Sequence, residues 1–181
     1  MEPEQARRVF EDAELLCDAA AVDAAIGKMA GEITAVLGER NPLLVVVMIG
    51  GVYLAGRILP LLEFPLDLDY VHASRYGEAT TGGALHWKAG PSESVQDRAV
   101  LLLDDILDAG ETLAAVKEGL LARGALSVHC AVLTEKETGE PKPMTPDFVG
   151  LKLPNRYVFG CGMDVSGAWR NLPAIYALKG S

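Results

Sequence analysis

Val100-Leu-Leu-Leu-Asp104-Asp105-Ile-Leu-Asp108-Ala-Gly110-Glu-Thr112-Leu113 joins an apolar run to a crowded polar turn, and the architecture of the chain follows from that junction. Four apolar residues run straight into three carboxylates, a glycine and a threonine. The apolar run predicts a strand covered on both faces, as at the centre of a parallel sheet. The residues after it predict the start of a helix, for which Asp105 or Asp108 alone would serve as cap. Three acids exceed that need. Carboxylates this close repel one another, and such a cluster persists where a cation or a set of hydroxyl groups binds it. The backbone N–H groups of Ala109 to Thr112, at a helix N-terminus, form a natural phosphate cradle, and the Thr112 hydroxyl adds a donor. No Gly-Lys-Ser/Thr follows, so the segment is not a Walker P-loop.

On the N-terminal side, Val22, Ile26, Met29, Ile33 and Val36 or Leu37 recur at helical spacing, with Asp18 or Asp23 as cap and Asn41-Pro42 as the break. Leu43 to Ile49 is a second continuous apolar run, a buried strand ended by Gly50-Gly51. Tyr53, Leu54, Ile58 and Leu61 predict a helix stopping near Leu62. Leu66 to Ala73 predicts another strand. The polar, glycine-rich residues 74 to 83 predict a long loop, followed by a short hairpin with Leu85-His-Trp87-Lys as one arm. Strands are expected at Ala99–Leu103 and Ser127–Thr134, with a helix over Thr112–Arg123 between them. Glu135 to Pro146, with three prolines, is expected as loop. Phe148–Leu153 and Tyr157–Cys161 read as short strands, and Ala174–Leu178 closes the chain. Strand and helix alternate, which predicts an α/β fold with a central parallel sheet flanked by helices. A single domain spans 1–181, with a core over about 22–160. The terminal segments, about 1–21 and 150–181, form a small cap over it.

The 181 residues carry 16 Lys and Arg against 25 Asp and Glu, a net charge of −9. That balance argues against nucleic acid as a partner, which needs a basic face. An anionic substrate must then be held by a few cationic side chains, Mg²⁺ or backbone N–H groups. The three cysteines, Cys17, Cys130 and Cys161, have no zinc spacing, and their odd number suits a reducing cytoplasm. The acidic N-terminus lacks the features of a signal peptide, and the longest uncharged stretch, Leu43 to Gly56, is too short to span a bilayer. A cytoplasmic protein with no membrane partner is expected. His72, His86 and His129 are scattered and carry no expectation of catalysis or ligation.

The Val100–Leu113 segment resembles the 5-phosphoribosyl-1-pyrophosphate (PRPP) motif of type I phosphoribosyltransferases: two acids after an apolar strand, two apolar residues, then Asp-x-Gly-x-Thr. The resemblance implies that Asp104 and Asp105 bind the ribose hydroxyls and the metal shell. It makes Asp108 the general base, and Ala109, Gly110, Glu111 and Thr112 the 5′-phosphate loop. It extends to the hypoxanthine-guanine branch through Lys136 in Val-Leu-Thr-Glu-Lys and through Pro146-Asp-Phe-Val-Gly150. There Lys136 would hydrogen-bond the purine 6-oxo group, Tyr157 would stack on the purine and the Val158 backbone would meet the base edge. Asp164 matches an acid near the base and a second Mg²⁺, and Arg170 an arginine that binds pyrophosphate. Arg75-Tyr76 matches a pair in the loop that closes the site. Gly50-Gly51 matches a loop that touches pyrophosphate through its backbone.

The match runs from about Glu14 to Leu178. It implies a type I phosphoribosyltransferase fold with a small hood made by the terminal segments. The implied reaction joins hypoxanthine or guanine to PRPP with Mg²⁺ as cofactor, in a homodimer or homotetramer. A xanthine preference, and a PRPP- or nucleotide-sensing regulator on the same fold, are the alternatives. Three positions depart from the family pattern: Ile49 where some members have lysine, Ala109 for a common threonine, and Glu111 beside the phosphate loop.

Overall fold

The computed structural model describes residues 1–75, 85–91 and 95–180. In chain order the elements are α1 (Pro3–Glu11), β1 (Glu14–Cys17), α2 (Ala19–Leu37), β2 (Leu43–Val47), α3 (Val52–Ile58), β3 (Asp67–Arg75), β4 (Leu85–Ala89), β5 (Ala99–Leu107), α4 (Glu111–Ala122), β6 (Ser127–Glu137), β7 (Phe148–Pro154), β8 (Val158–Phe159) and β9 (Ile175–Ala177), with a 3₁₀ turn at Leu59–Leu61. The main sheet has the order β4-β3-β2-β5-β6-β7. Its strands are parallel except β4, which pairs antiparallel with β3 at the edge.

Alternation along the central strands explains their unbroken apolar runs. Leu44 and Val46 of β2 and Leu101 and Leu103 of β5 pack with α2 and α3 on one face. Leu43, Val45, Val47, Val100 and Leu102 pack with Leu113, Val116 and Leu120 of α4 on the other. A strand covered on both sides has no solvent face to mark with polar residues. On α2, the Asp18 carboxylate accepts from the Ala21 N–H at 2.8 Å as the cap, and Val22, Ile26, Met29, Ile33 and Leu37 face the core.

The expected α/β architecture is present, and several boundaries differ from the expectation: β2 ends at Val47, β3 pairs with β4 through Arg75 where loop was expected, and the strand expected at Tyr157–Cys161 is only Val158–Phe159. Strand β5 runs on through Asp104 and Asp105 to Leu107, and β6 through Lys136 to Glu137, because the parallel ladder continues past the apolar residues: Asp104 pairs with Val132, Ile106 with Thr134 and Leu107 with Glu135. Cross-strand pairing therefore overrides the polar composition that reads as loop. Residues of the two terminal segments form a second sheet of order β1-β9-β8, antiparallel throughout, whereas β7, expected from residue 150 on as part of the cap, belongs to the main sheet. Helix α1 packs on the second sheet: Phe10 lies 5.2 Å from the Trp169 ring and 5.0 Å from that of Tyr176, and the Trp169 indole donates to the Ala6 carbonyl at 2.8 Å. No apolar periodicity in the first seventeen residues announces α1 or β1. Among the described residues, no helix is long and apolar enough to cross a membrane.

Candidate active site

In a parallel sheet, ligands bind beyond the carboxyl ends of the strands. Here the ends of β2, β5 and β6 open into a cleft of about 620 Å³, a size suited to a small-molecule ligand. Its wall brings together Gly50, Asp104, Asp105, the whole turn Asp108–Thr112, Lys136, Tyr157, Val158, Asp164 and Arg170, which lie up to 120 residues apart in the chain.

The acid pair is set by close packing. The Asp105 side chain lies against Gly50 so tightly that a Cβ there would overlap its carboxylate, and a Cβ at Gly162 would overlap the Gly50 carbonyl and approach the Asp105 Cβ to 3.0 Å. The Asp105 N–H donates to the Asp104 carboxylate at 2.9 Å. Burial pushes the Asp104 carboxyl well above the usual carboxylate range, and the neighbouring Asp105 charge adds to the rise. Burial raises Asp105 too, against the hydrogen bond with Asp104 and the Arg170 charge, which pull it down. Arg170 sits between acids: its guanidinium is 3.9 Å from Asp105 and 2.5 Å from Asp164, and it donates to the Gly162 carbonyl at 2.6 Å. The other Asp164 oxygen accepts from the Gly167 N–H at 2.6 Å. Asp164 thus faces Arg170 and a turn. Among the described residues, no group of three or more His, Cys, Asp or Glu is arranged to hold a metal ion.

Asp108 and Lys136 meet because of strand register. Leu107 pairs with Glu135 in the parallel ladder, so the next residues stand side by side. The Lys136 ammonium donates to the Asp108 carboxylate at 2.5 Å; the lysine side chain is 11% exposed and the aspartate 53%. A buried ammonium beside an accessible carboxylate offers a donor and an acceptor on one small surface. Past Asp108 the chain turns through Gly110 at φ 80°, a left-handed conformation that suits glycine, and starts α4 at Glu111. The first N–H groups of a helix have no intrahelical partner, and here the residues that carry them line the cleft.

Tyr157 is half exposed at the cleft and donates its hydroxyl to the Asp164 carbonyl at 3.3 Å, next to Val158 at the start of β8. Ile49 stands 57% exposed on the first loop. Gly51 is set apart from the expected pair. Its N–H donates to the Val47 carbonyl at 2.9 Å, and a Cβ there would come within 2.8 Å of the Val47 and Leu103 carbonyls. The residue serves packing between β2 and β5, and its amide is already used. Arg75 is the last residue of β3, paired with Leu85. Tyr76, and the 74–83 loop beyond Arg75, lie outside the described residues. Met163 was not anticipated; it lines the cleft beside Thr134, whose hydroxyl donates to the Asp105 carbonyl at 3.0 Å. Gly162 was missed as well, although Gly160-Cys-Gly162 was a visible sign of close backbone approach.

A family profile described as "Phosphoribosyl transferase domain" matches residues 14–166. The chain belongs to the phosphoribosyltransferase family. Relatives with known assignments place it in the hypoxanthine-guanine branch of that family. It is 32% identical over 157 residues to the hypoxanthine-guanine-xanthine phosphoribosyltransferase of Tritrichomonas foetus, with 86% of each chain covered. It is 34% identical over 155 residues to the bifunctional protein TilS/HprT of Listeria innocua, where the match covers 85% of this chain and 24% of that longer protein. The chain therefore spans about a quarter of the Listeria relative. Its fold matches that of a hypoxanthine phosphoribosyltransferase from Staphylococcus aureus with a TM-score of 0.88 over 94% of both chains, at 24% identity. Within the phosphoribosyltransferase family, then, the acid pair, the Asp108–Thr112 turn and Lys136 share one cleft.

Proposed function

We propose that this chain is a purine-salvage phosphoribosyltransferase that joins hypoxanthine or guanine to PRPP, giving IMP or GMP and pyrophosphate. The 2.5 Å pair of Lys136 and Asp108 carries this reading. On a 6-oxopurine, N7 and the 6-oxo oxygen lie on one edge of the base. Lys136 donates to the oxo group, and Asp108 takes or shares the proton at N7, which raises the nucleophilicity of N9. The C1′–pyrophosphate bond breaks as the N9–C1′ bond forms, and the electron pair leaves with the pyrophosphate. Tyr157 stacks on the base, and the Val158 backbone meets its edge. Asp104 and Asp105 accept from the ribose hydroxyls, and the turn Ala109–Thr112 holds the 5′-phosphate with its N–H groups. Arg170 and the Gly50 backbone stabilise the leaving pyrophosphate, and by the family resemblance Arg75 and Tyr76 are assigned to PRPP as well.

The all-oxygen donor set of Asp104 and Asp105 fits Mg²⁺, which keeps several waters and takes substrate oxygens alongside one or two carboxylates. Burial that disfavours two bare charges supports a cation at that pair. Asp164 is the further acid for a second ion. When bound, Mg²⁺ supplies neutralisation of the pyrophosphate charge. Residues 1–181 work in this reading as one cytoplasmic domain, with the terminal sheet as a hood, in a homodimer or homotetramer.

Adenine presents an amino donor where Lys136 also donates, so the pair rejects it. Purified protein with PRPP and Mg²⁺ is expected to consume hypoxanthine and guanine, and the same panel reads whether xanthine is preferred. Faster turnover of adenine than of hypoxanthine in that four-base panel overturns the assignment.

A further inference from the structure

The ladder between β5 and β6 ends at Leu107 and Glu135, one residue short of Asp108 and Lys136. What holds these two strand ends together is a side chain from the β6–β7 loop. The Lys142 ammonium donates to the Lys136 carbonyl at 2.6 Å and to the Leu107 carbonyl at 3.3 Å, and it lies 3.5 Å from the Glu135 carboxylate. Its side chain is 11% exposed and that of Glu135 21%. The loop around it is stiff: Pro141 and Pro143 flank Lys142, which restricts its backbone. The same loop abuts the phosphate turn, where a Cβ at Gly110 would meet Pro143 at 3.6 Å.

We propose that Lys142 is a positioning residue that sets the purine-reading pair. One ammonium clamps the carbonyl preceding Asp108 and the carbonyl of Lys136 itself, so the carboxylate and the ammonium reach the same edge of the base. Its own positive charge is taken up by two carbonyls and Glu135, and it does not enter the cleft wall. The proposal rests on the 6-oxopurine reading above. Lys142 touches no substrate; it acts through the two residues that do.

The test replaces Lys142 in the full chain by Met, which keeps length and removes the donors, and by Arg, which keeps charge and donors. Steady-state kinetics are taken for both substrates, with melting temperature and circular dichroism for the fold. Misplacing a catalytic group by about 1 Å costs up to ~10²-fold, so Lys142→Met is expected to raise KM for hypoxanthine about tenfold or more with KM for PRPP within about twofold of wild type. Lys142→Arg is expected to recover most of the loss. Equal losses for both substrates, a hypoxanthine KM within about twofold of wild type, or unfolding of both variants each overturn the positioning role. A wild-type enzyme inert with hypoxanthine and guanine overturns the purine reading and this proposal together. Normal wild-type turnover matched by Lys142→Met overturns this proposal alone.

Discussion

Asp108 keeps its carboxylate half exposed while its partner Lys136 is nearly buried, and that asymmetry shapes the proposed chemistry. In the proposed reaction the lysine is held to read the base, and the acid stays accessible to a proton. Asp108→Asn keeps the shape and the hydrogen bond but removes the basic oxygen. We expect kcat to fall about 10²-fold or more, the usual scale for losing a general base, with hypoxanthine still bound. A kcat equal to wild type refutes the role. Gly50 shows a different kind of necessity at the same scale. Its missing side chain is the space that the Asp105 carboxylate occupies. From the sequence, Gly50-Gly51 reads as a pair with one role, whereas Gly50 makes room for a carboxylate and Gly51 for the backbone carbonyls of Val47 in β2 and Leu103 in β5.

At the scale of elements, the β2 and β5 strands were legible because they are covered on both faces, so composition alone marks them. The ends of β5 and β6 were not. Polar residues there read as loop, and only the neighbouring strand makes them ladder. Helix α1 was illegible for the converse reason: its one aromatic anchor, Phe10, finds Trp169 and Tyr176 more than 150 residues away. Trp169 precedes Arg170, so α1 docks on the segment that delivers the arginine. Each such aromatic pair contributes about 0.5–1.5 kcal/mol beyond burial, so Phe10→Ala is expected to lower unfolding stability by about 2 kcal/mol in urea titration. A change below about 0.5 kcal/mol shows that α1 docking contributes nothing.

Over the whole molecule, the buried thiols predict an alkaline limit to stability. Burial pushes Cys130 up to about 12 and Cys161 up to about 11, from 9.0. Below pH 9 both thiols are neutral in either state, and this stabilising difference is silent. Above it the unfolded chain loses protons that the folded chain keeps, so stability falls as pH rises. The loss is expected to reach roughly 3 kcal/mol at about pH 10. Urea unfolding of wild type and Cys130→Ala at about pH 8 and about pH 10 checks it, the variant showing the shallower dependence. Equal slopes remove Cys130 from the account.

Strands apolar on both faces make the parallel α/β class readable from composition, and one short segment carries the crowded acids that resemble a PRPP motif. Both signals are local, so they are complete within a few consecutive residues. Which distant residues meet follows from the folded chain alone: Asp108 with Lys136 through the register of β5 and β6, Arg170 between Asp105 and Asp164, Asp105 in the space left by Gly50, and Lys142 across two strand ends. These contacts join residues distant in the chain. Their geometry depends on how parallel strands align and how closely backbones approach, which no linear spacing records.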